Sequence, residues 1–244
     1  MNRLLDCRRL SPTGEARVTV PYTHHFARQP IVDRSGRVLA YEVLFRADGG
    51  ASDAVFLDGV AATQDVLTAL DHQGPDLFGG VPAFVNLPRS LILGGALGWC
   101  DPRRVGAEVL EDVVADPEVI DALADLRRRG FTIALDDFRP DRARMPLVEH
   151  ADIVKIDVQD LGFDLTRLVR ELHRSGALVL AEKVETDTEL EACLDAGFDL
   201  FQGYAVGVPH TVAVSPDSPA VVTRAPKWLN TRISRRGMVE PLRT

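Results

Sequence analysis

Cysteine is scarce and scattered in this 244-residue chain: Cys7, Cys100 and Cys193 form an odd set without metal-ligand spacing. That excludes a disulfide framework and a thiolate zinc site, and leaves free thiols in a reducing cytoplasm. Basic charge is in deficit too, with 28 Lys and Arg against 36 Asp and Glu and a formal net charge of −8. Such a balance argues against non-specific binding to DNA or RNA. No apolar run is long enough to cross a bilayer, and residues 1–18 lack the apolar centre of a signal peptide. A cytoplasmic protein without DNA or membrane contact is therefore expected. There is no Gly-rich nucleotide loop after the first strand and no low-complexity stretch. What the chain does have is apolar residues, 45% of the total, enough to bury a large core.

Those apolar residues fall in runs that end on polar groups. Residues 178–186 have strand character and deliver Glu182 and Glu185 at their end. Acidic side chains are rarely buried without a partner, so this ending calls for a cation, a basic residue or a substrate. Residues 26–32 and 37–46 flank Asp33, Arg34, Ser35 and Gly36, which predicts a hairpin whose second arm carries Glu42 and Arg46 on one face. Helical spacing follows at Val55, Val60, Val66, Leu67 and Leu70, with Ser52 and Asp53 as its cap, and then a strand over 83–87 that carries Asn86. From Gly106 onward strands and helices alternate. Strands over 107–111, 131–137, 153–158, 178–182 and 200–204 carry Glu108, Asp136 with Asp137, Lys155, Glu182 and Gln202; helices are expected over 117–129, 146–151, 165–175 and 188–196.

This alternation predicts a parallel sheet, and its polar strand ends favour closure. In a barrel of about eight strands every strand C-terminus meets at one mouth, which brings together Glu42, Asn86, Glu108, Asp136, Asp137, Lys155, Glu182, Glu185 and Gln202. The expected fold is one α/β domain, a (β/α)8 TIM-like barrel over residues 19–209, after a flexible leader at 1–18 and before a basic C-terminal tail at 210–244. No His or Cys sits on a strand end. Carboxylates, an amide oxygen and one Lys are hard oxygen ligands plus a positive charge, which suits Mg²⁺ or Mn²⁺ better than zinc. Two such ions about 4 Å apart can activate a water and stabilise phosphoryl oxygens.

Taken together, Glu42-Val43-Leu44 with Arg46, Asn86, Glu108, Asp136-Asp137-Phe138, Lys155-Ile156-Asp157, Ala181-Glu182-Lys183-Val184-Glu185-Thr186 and Gln202-Gly203-Tyr204 with Pro209 resemble the EAL-domain family in kind and order. The resemblance covers roughly residues 26–209 and is strongest to the EAL half of EAL-HDOD proteins, although no HDOD domain fits after Pro209. It implies a modified (β/α)8 barrel that hydrolyses the bacterial second messenger cyclic di-GMP to linear pGpG, with Mg²⁺ or Mn²⁺ in a two-metal site and a homodimer. It further implies Glu42, Asn86, Glu108 and Asp136 as metal ligands, Asp137 at the second metal, and Lys155 and Glu182 holding and deprotonating the attacking water. Gln29, Arg46, Glu185 and Gln202 match positions on the substrate side, and Glu111 matches the acid that anchors the loop after Asp137.

The sequence also departs from the family. Residues 139–144, Arg-Pro-Asp-Arg-Ala-Arg, replace a Gly- and Ser-rich loop that couples dimerisation to metal binding. Arg139, Arg142 and Arg144 bring positive charge beside Asp137, so one tighter and one weaker metal position are expected. Two functions stay open: a metal-dependent phosphodiesterase, and a catalytically degenerate EAL module that acts as a cyclic di-GMP receptor or binds a protein partner.

Overall fold

The computed structural model describes residues 24–45, 60, 63–64, 66–68, 78–159 and 164–214. Arg46, the Ser52-Asp53 cap, the leader and the basic tail beyond residue 214 lie outside the described residues.

The chain opens with a hairpin, β1 (His24–Asp33) paired antiparallel with β2 (Val38–Phe45). Its turn follows from two residues. Asp33 Oδ1 accepts from the backbone N–H of Ser35 at 2.9 Å and of Arg37 at 3.0 Å, and Gly36 takes a φ of 79°. Six parallel strands follow: β3 (Ala83–Leu87), β4 (Val105–Val109), β5 (Ile133–Leu135), β6 (Ile153–Asp157), β7 (Leu178–Glu182) and β8 (Leu200–Phe201). Each pairs in parallel with its predecessor, from β2 onward. β1 then closes the ring antiparallel to β8, through Val32 opposite Phe201 and Asp33 opposite Leu200. The fold is thus a closed eight-stranded α/β barrel with one reversed strand. A ninth strand, β9 (His210–Val214), joins the other half of β1, pairing Phe26 with Val212, so this part of the expected tail adds to the sheet.

Helices pack outside the ring, and their ends are written in the sequence. α1 (Arg89–Leu93) is a short helix that the apolar pattern did not announce. α2 (Pro117–Arg128) starts where Asp116 accepts from the N–H of Val119 at 2.9 Å and ends with Arg127 and Arg128 in its last turn. A 3-10 turn (Met145–His150) and α3 (Leu165–His173) follow. α4 (Asp187–Ala196) carries a capping box between Thr186 and Glu189 and stops at Gly197 with φ 97°.

Side chains alternate across a strand, so one residue in two points into the barrel. Ala40, Phe84, Ala134, Ile153, Leu180, Leu200 and Ile31 form one buried cluster there. Gly106 completes this layer, because a Cβ at that position would meet the Phe84 ring at 2.5 Å. Two residues further along the same strands stand Glu42, Asn86, Glu108, Asp136, Lys155, Glu182 and Gln202. On β1 the corresponding step runs backward, from Ile31 to Gln29, because that strand is reversed. A polar layer therefore rests directly on an apolar plug.

Candidate active site

Lys155 is the centre of the polar layer. It is only 1% exposed, and its Nζ reaches Asp136 Oδ1 at 2.7 Å, Glu182 Oε1 at 2.8 Å, Glu42 Oε2 at 3.3 Å and, in a short contact, Glu108 Oε1. Strand register sets this up. Asn86 lies opposite Glu108 across β3 and β4, and Asp157 lies opposite Glu182 across β6 and β7. On the far side of the mouth Gln202 Nε2 donates to Glu42 Oε2 at 2.6 Å and to Gln29 Oε1 at 3.3 Å, while Gln29 Nε2 donates to the carbonyl of Gly207 at 3.3 Å. Gly207 and Gly203 permit this close approach: a Cβ on Gly207 would meet Pro30 at 2.4 Å, and one on Gly203 would meet the Val184 carbonyl oxygen at 2.2 Å.

Four carboxylates share one ammonium, and most of the group is out of water. Burial pushes the Glu108 carboxyl well above the usual carboxylate range, helped by the charge of Glu42 and opposed by Lys155. Burial likewise raises Glu182 to about 8, against the pull of Lys155 and with the push of Asp136 and Glu42. At Asp136 burial is outweighed by the charge and hydrogen bond of Lys155, and its carboxyl stays low. Lys155 keeps its proton firmly, since Glu108, Glu182, Glu42 and Asp136 together overcome its own desolvation. The layer lacks positive charge, and it also lacks donors. Asn86 Oδ1, Glu108 Oε2, Glu182 Oε2 and Gln202 Oε1 are buried without a hydrogen-bond partner. Among the described residues no three of the acids close on one common cation position; their oxygens gather around Nζ instead.

Asp137 faces a different partner. Lys183 Nζ lies 3.3 Å from Asp137 Oδ1 and 2.5 Å from Asp157 Oδ2. Both Asp137 and Lys183 have left-handed backbones, with φ of 38° and 56°, and they are the only such non-glycine residues among those described. Beside them is a cavity of ≈ 350 Å³ whose lining includes Glu111, Phe138, Arg139 and Asp157. The expected electrostatic competitor for Asp137 was an arginine of residues 139–144. The ammonium of Lys183 also reaches it, while Arg139 lines the same cavity and Arg144 turns inward to bind carbonyl oxygens.

Not every expected residue joins the layer. Glu185 is exposed; its backbone N–H is held by Glu189 Oε2 at 2.8 Å, and its carboxylate makes no ion pair with Lys155. Glu111, expected as the loop's anchor and not in the layer, is exposed at the cavity rim. Arg46 lies outside the described residues. Sequence reading passed over Thr63, buried, whose Oγ1 donates to the carbonyl of Asn86 at 2.6 Å. It also gave no role to Lys183, whose left-handed backbone puts it beyond the reach of strand periodicity.

Residues 96–209 match the EAL domain. YuxH of Bacillus subtilis is 32% identical over 197 residues, 77% of this chain and 47% of that protein. By the first of these matches the chain contains an EAL domain. A second relative, the cyclic di-GMP phosphodiesterase CdgJ of Vibrio cholerae, is 30% identical over 204 residues, 80% of this chain and 47% of CdgJ. The chain spans about half the length of these relatives. Among solved EAL structures, YkuI of Bacillus subtilis, in complex with cyclic di-GMP and calcium, has a TM-score of 0.66 at 20% identity, covering 86% of this chain and 58% of YkuI. BlrP1 of Klebsiella pneumoniae, in a calcium and cyclic di-GMP complex, has a TM-score of 0.60 at 25% identity over 78% of this chain and 59% of BlrP1. Glu42, expected as a metal ligand, and the amide of Gln202, expected on the substrate side, are in direct contact at 2.6 Å.

Proposed function

We propose that this domain is a metal-dependent phosphodiesterase that hydrolyses cyclic di-GMP to linear pGpG. The observation that carries the reading is the polar layer itself: one ammonium among Glu42, Glu108, Asp136 and Glu182, with four buried oxygens lacking donors. Oxygens of this kind fit a hard divalent cation such as Mg²⁺ or Mn²⁺. Glu42, Asn86, Glu108 and Asp136 would hold it, and Asp137 would hold a second. When bound, the cation supplies charge for the phosphoryl oxygens and makes water more acidic.

The chain's own residues do the rest. Glu182 Oε1 is tied to Lys155, while Oε2 is buried and free to accept a proton from the attacking water. A carboxyl held near 8 is basic enough for this task at neutral pH once it is ionised. Lys155 keeps its charge throughout and orients Glu182 and the water. Gln29 and Gln202, joined by a 3.3 Å hydrogen bond at the other side of the mouth, bind the guanine and phosphate side of the nucleotide. The apolar layer beneath blocks entry of bulk water from below.

Lys183 favours a second reading. With its ammonium on Asp137, the second cation position is the weaker, and a domain that never fills it is a receptor for cyclic di-GMP rather than an enzyme. Incubation with cyclic di-GMP in Mg²⁺ or Mn²⁺, with pGpG followed by chromatography, tests the first reading. Binding measured in Ca²⁺ without any pGpG at high protein concentration would establish the receptor instead.

A further inference from the structure

The loop that departs from the rest of the family carries a device of its own. Arg144 is buried, 3% exposed, a costly position for a guanidinium that makes no ion pair among the described residues, although Asp136, Asp141, Glu111 and Asp137 favour its charge from a distance. Its Nη1 donates to the carbonyl oxygens of Asp136 at 2.8 Å and Asp137 at 3.3 Å, and its Nη2 to the carbonyl of Leu110 at 3.3 Å. The guanidinium also sits over the Phe138 ring, 5.7 Å from its centre. Asp141 fixes the base of this side chain, its Oδ1 accepting from the N–H groups of Ala143 at 2.8 Å and Arg144 at 2.9 Å. The N–H of Ala115 binds the Ala143 carbonyl at 2.7 Å, which docks the whole loop on the segment after β4.

The geometry points to Arg144 as the positioning residue of the Asp136–Asp137 turn, fixing it from behind so that both carboxylates face cations in front. This rests on the phosphodiesterase reading for what the carboxylates hold. β5 has only three residues, so its ladder gives the turn little support. Asp137 in addition has φ 38°, a conformation that persists only where the surroundings impose it. Arg144 imposes it through carbonyls on two strand ends, a reach that needs the planar fork of arginine and that a lysine ammonium lacks. All three hydrogen bonds end on carbonyl oxygens, so the positive charge steadies the turn without occupying the carboxylates. Glu111, expected to anchor this loop, is exposed at the cavity rim, and its charge favours the charged guanidinium of Arg144.

The test compares Arg144→Lys and Arg144→Met with the parent chain by hydrogen exchange in metal-free protein and by Mn²⁺ calorimetry. The amides to follow are Asp136, bound to the Val109 carbonyl at 2.9 Å, and Phe138, bound to the Lys155 carbonyl at 2.8 Å. Arg144→Lys is expected to keep the barrel folded, speed exchange at these two amides about tenfold relative to β6 and β7, and weaken Mn²⁺ binding roughly 10–100-fold. In turnover, kcat falls while KM for the nucleotide holds. Unchanged exchange at Phe138 in either folded variant would overturn the proposal. So would a uniform loss of stability over all strands with parental Mn²⁺ affinity in the folded fraction, which would make Arg144 an ordinary core residue. If the parent chain takes up no Mn²⁺, the phosphodiesterase reading falls, and exchange at Phe138 alone decides whether Arg144 fixes the turn.

Discussion

Among the described residues Lys155 is the only ammonium inside the ring of Glu42, Glu108, Asp136 and Glu182, and it is buried with them. Removing one partner of a buried ion pair typically costs about 3–5 kcal/mol. Lys155→Met is therefore expected to lower the metal-free stability by about that amount in urea unfolding, with Mn²⁺ restoring part of it; an unchanged midpoint would show that the acids simply take up protons. Glu182→Gln keeps shape and removes only the proton acceptor, so kcat should drop about 10²–10⁴-fold while nucleotide affinity in Ca²⁺ stays close to the parent's. Equal loss of both would reassign Glu182 to binding. Seven residues of the layer could be read in advance because each stands two places beyond a barrel-filling residue, and period two is visible in a sequence. The failures lie past the strand ends. Where Asp137 and Lys183 turn left-handed, periodicity no longer says which way a side chain points, so the Lys183–Asp137 pair and the outward Glu185 were hidden.

Among the elements, the helix ends were the most legible, since Asp116 with Pro117, Thr186 with Glu189, and Gly197 all stand where capping chemistry requires. α1 escaped notice because five residues show too little of a 3.6-residue period, and β5 was read as seven residues long where only three pair. Close approach between elements was invisible in the same way. The loop after β8 passes so near the end of β7 that a Cβ on Gly203, at φ 142°, would lie 2.2 Å from the Val184 carbonyl oxygen. Gly203→Ala is expected to cost at least about 3 kcal/mol, because backbone must move and not a side chain. Thermal unfolding checks this, and a loss below about 1 kcal/mol would mean that the loop yields freely.

The whole barrel should weaken in acid through groups remote from the mouth. At Asp33 burial is outweighed by hydrogen bonds from the Ser35 hydroxyl and the backbone of Arg37 and Ser35, and the carboxyl is held low. Asp116 is lowered by the N–H of Val119 and the side chain of Arg89, and Glu189 by Gln159 and the N–H groups of Glu185 and Thr186. Each is more acidic folded than unfolded, so its contribution is complete above the ordinary carboxyl range and disappears as the pH falls from about 5 to about 3. Tm measured across that interval should decline, less steeply in Asp33→Asn; parallel curves would remove Asp33 from the account. The overall architecture was legible from strand-helix alternation, but the route of closure was not. β1 meets β8 at only two residue pairs, Val32 with Phe201 and Asp33 with Leu200, across nearly the whole length of the domain in sequence. Local pairs form early and distant ones late, so this seam is expected to be the slow step of folding. Gln29 and Glu42 ride on the first hairpin and Gln202 directly follows β8, so on dilution from urea helical signal should return first and cation binding only afterwards. In a stopped-flow record the two traces would separate; if they coincide, the hairpin and β8 meet at the outset, and the mouth is born whole.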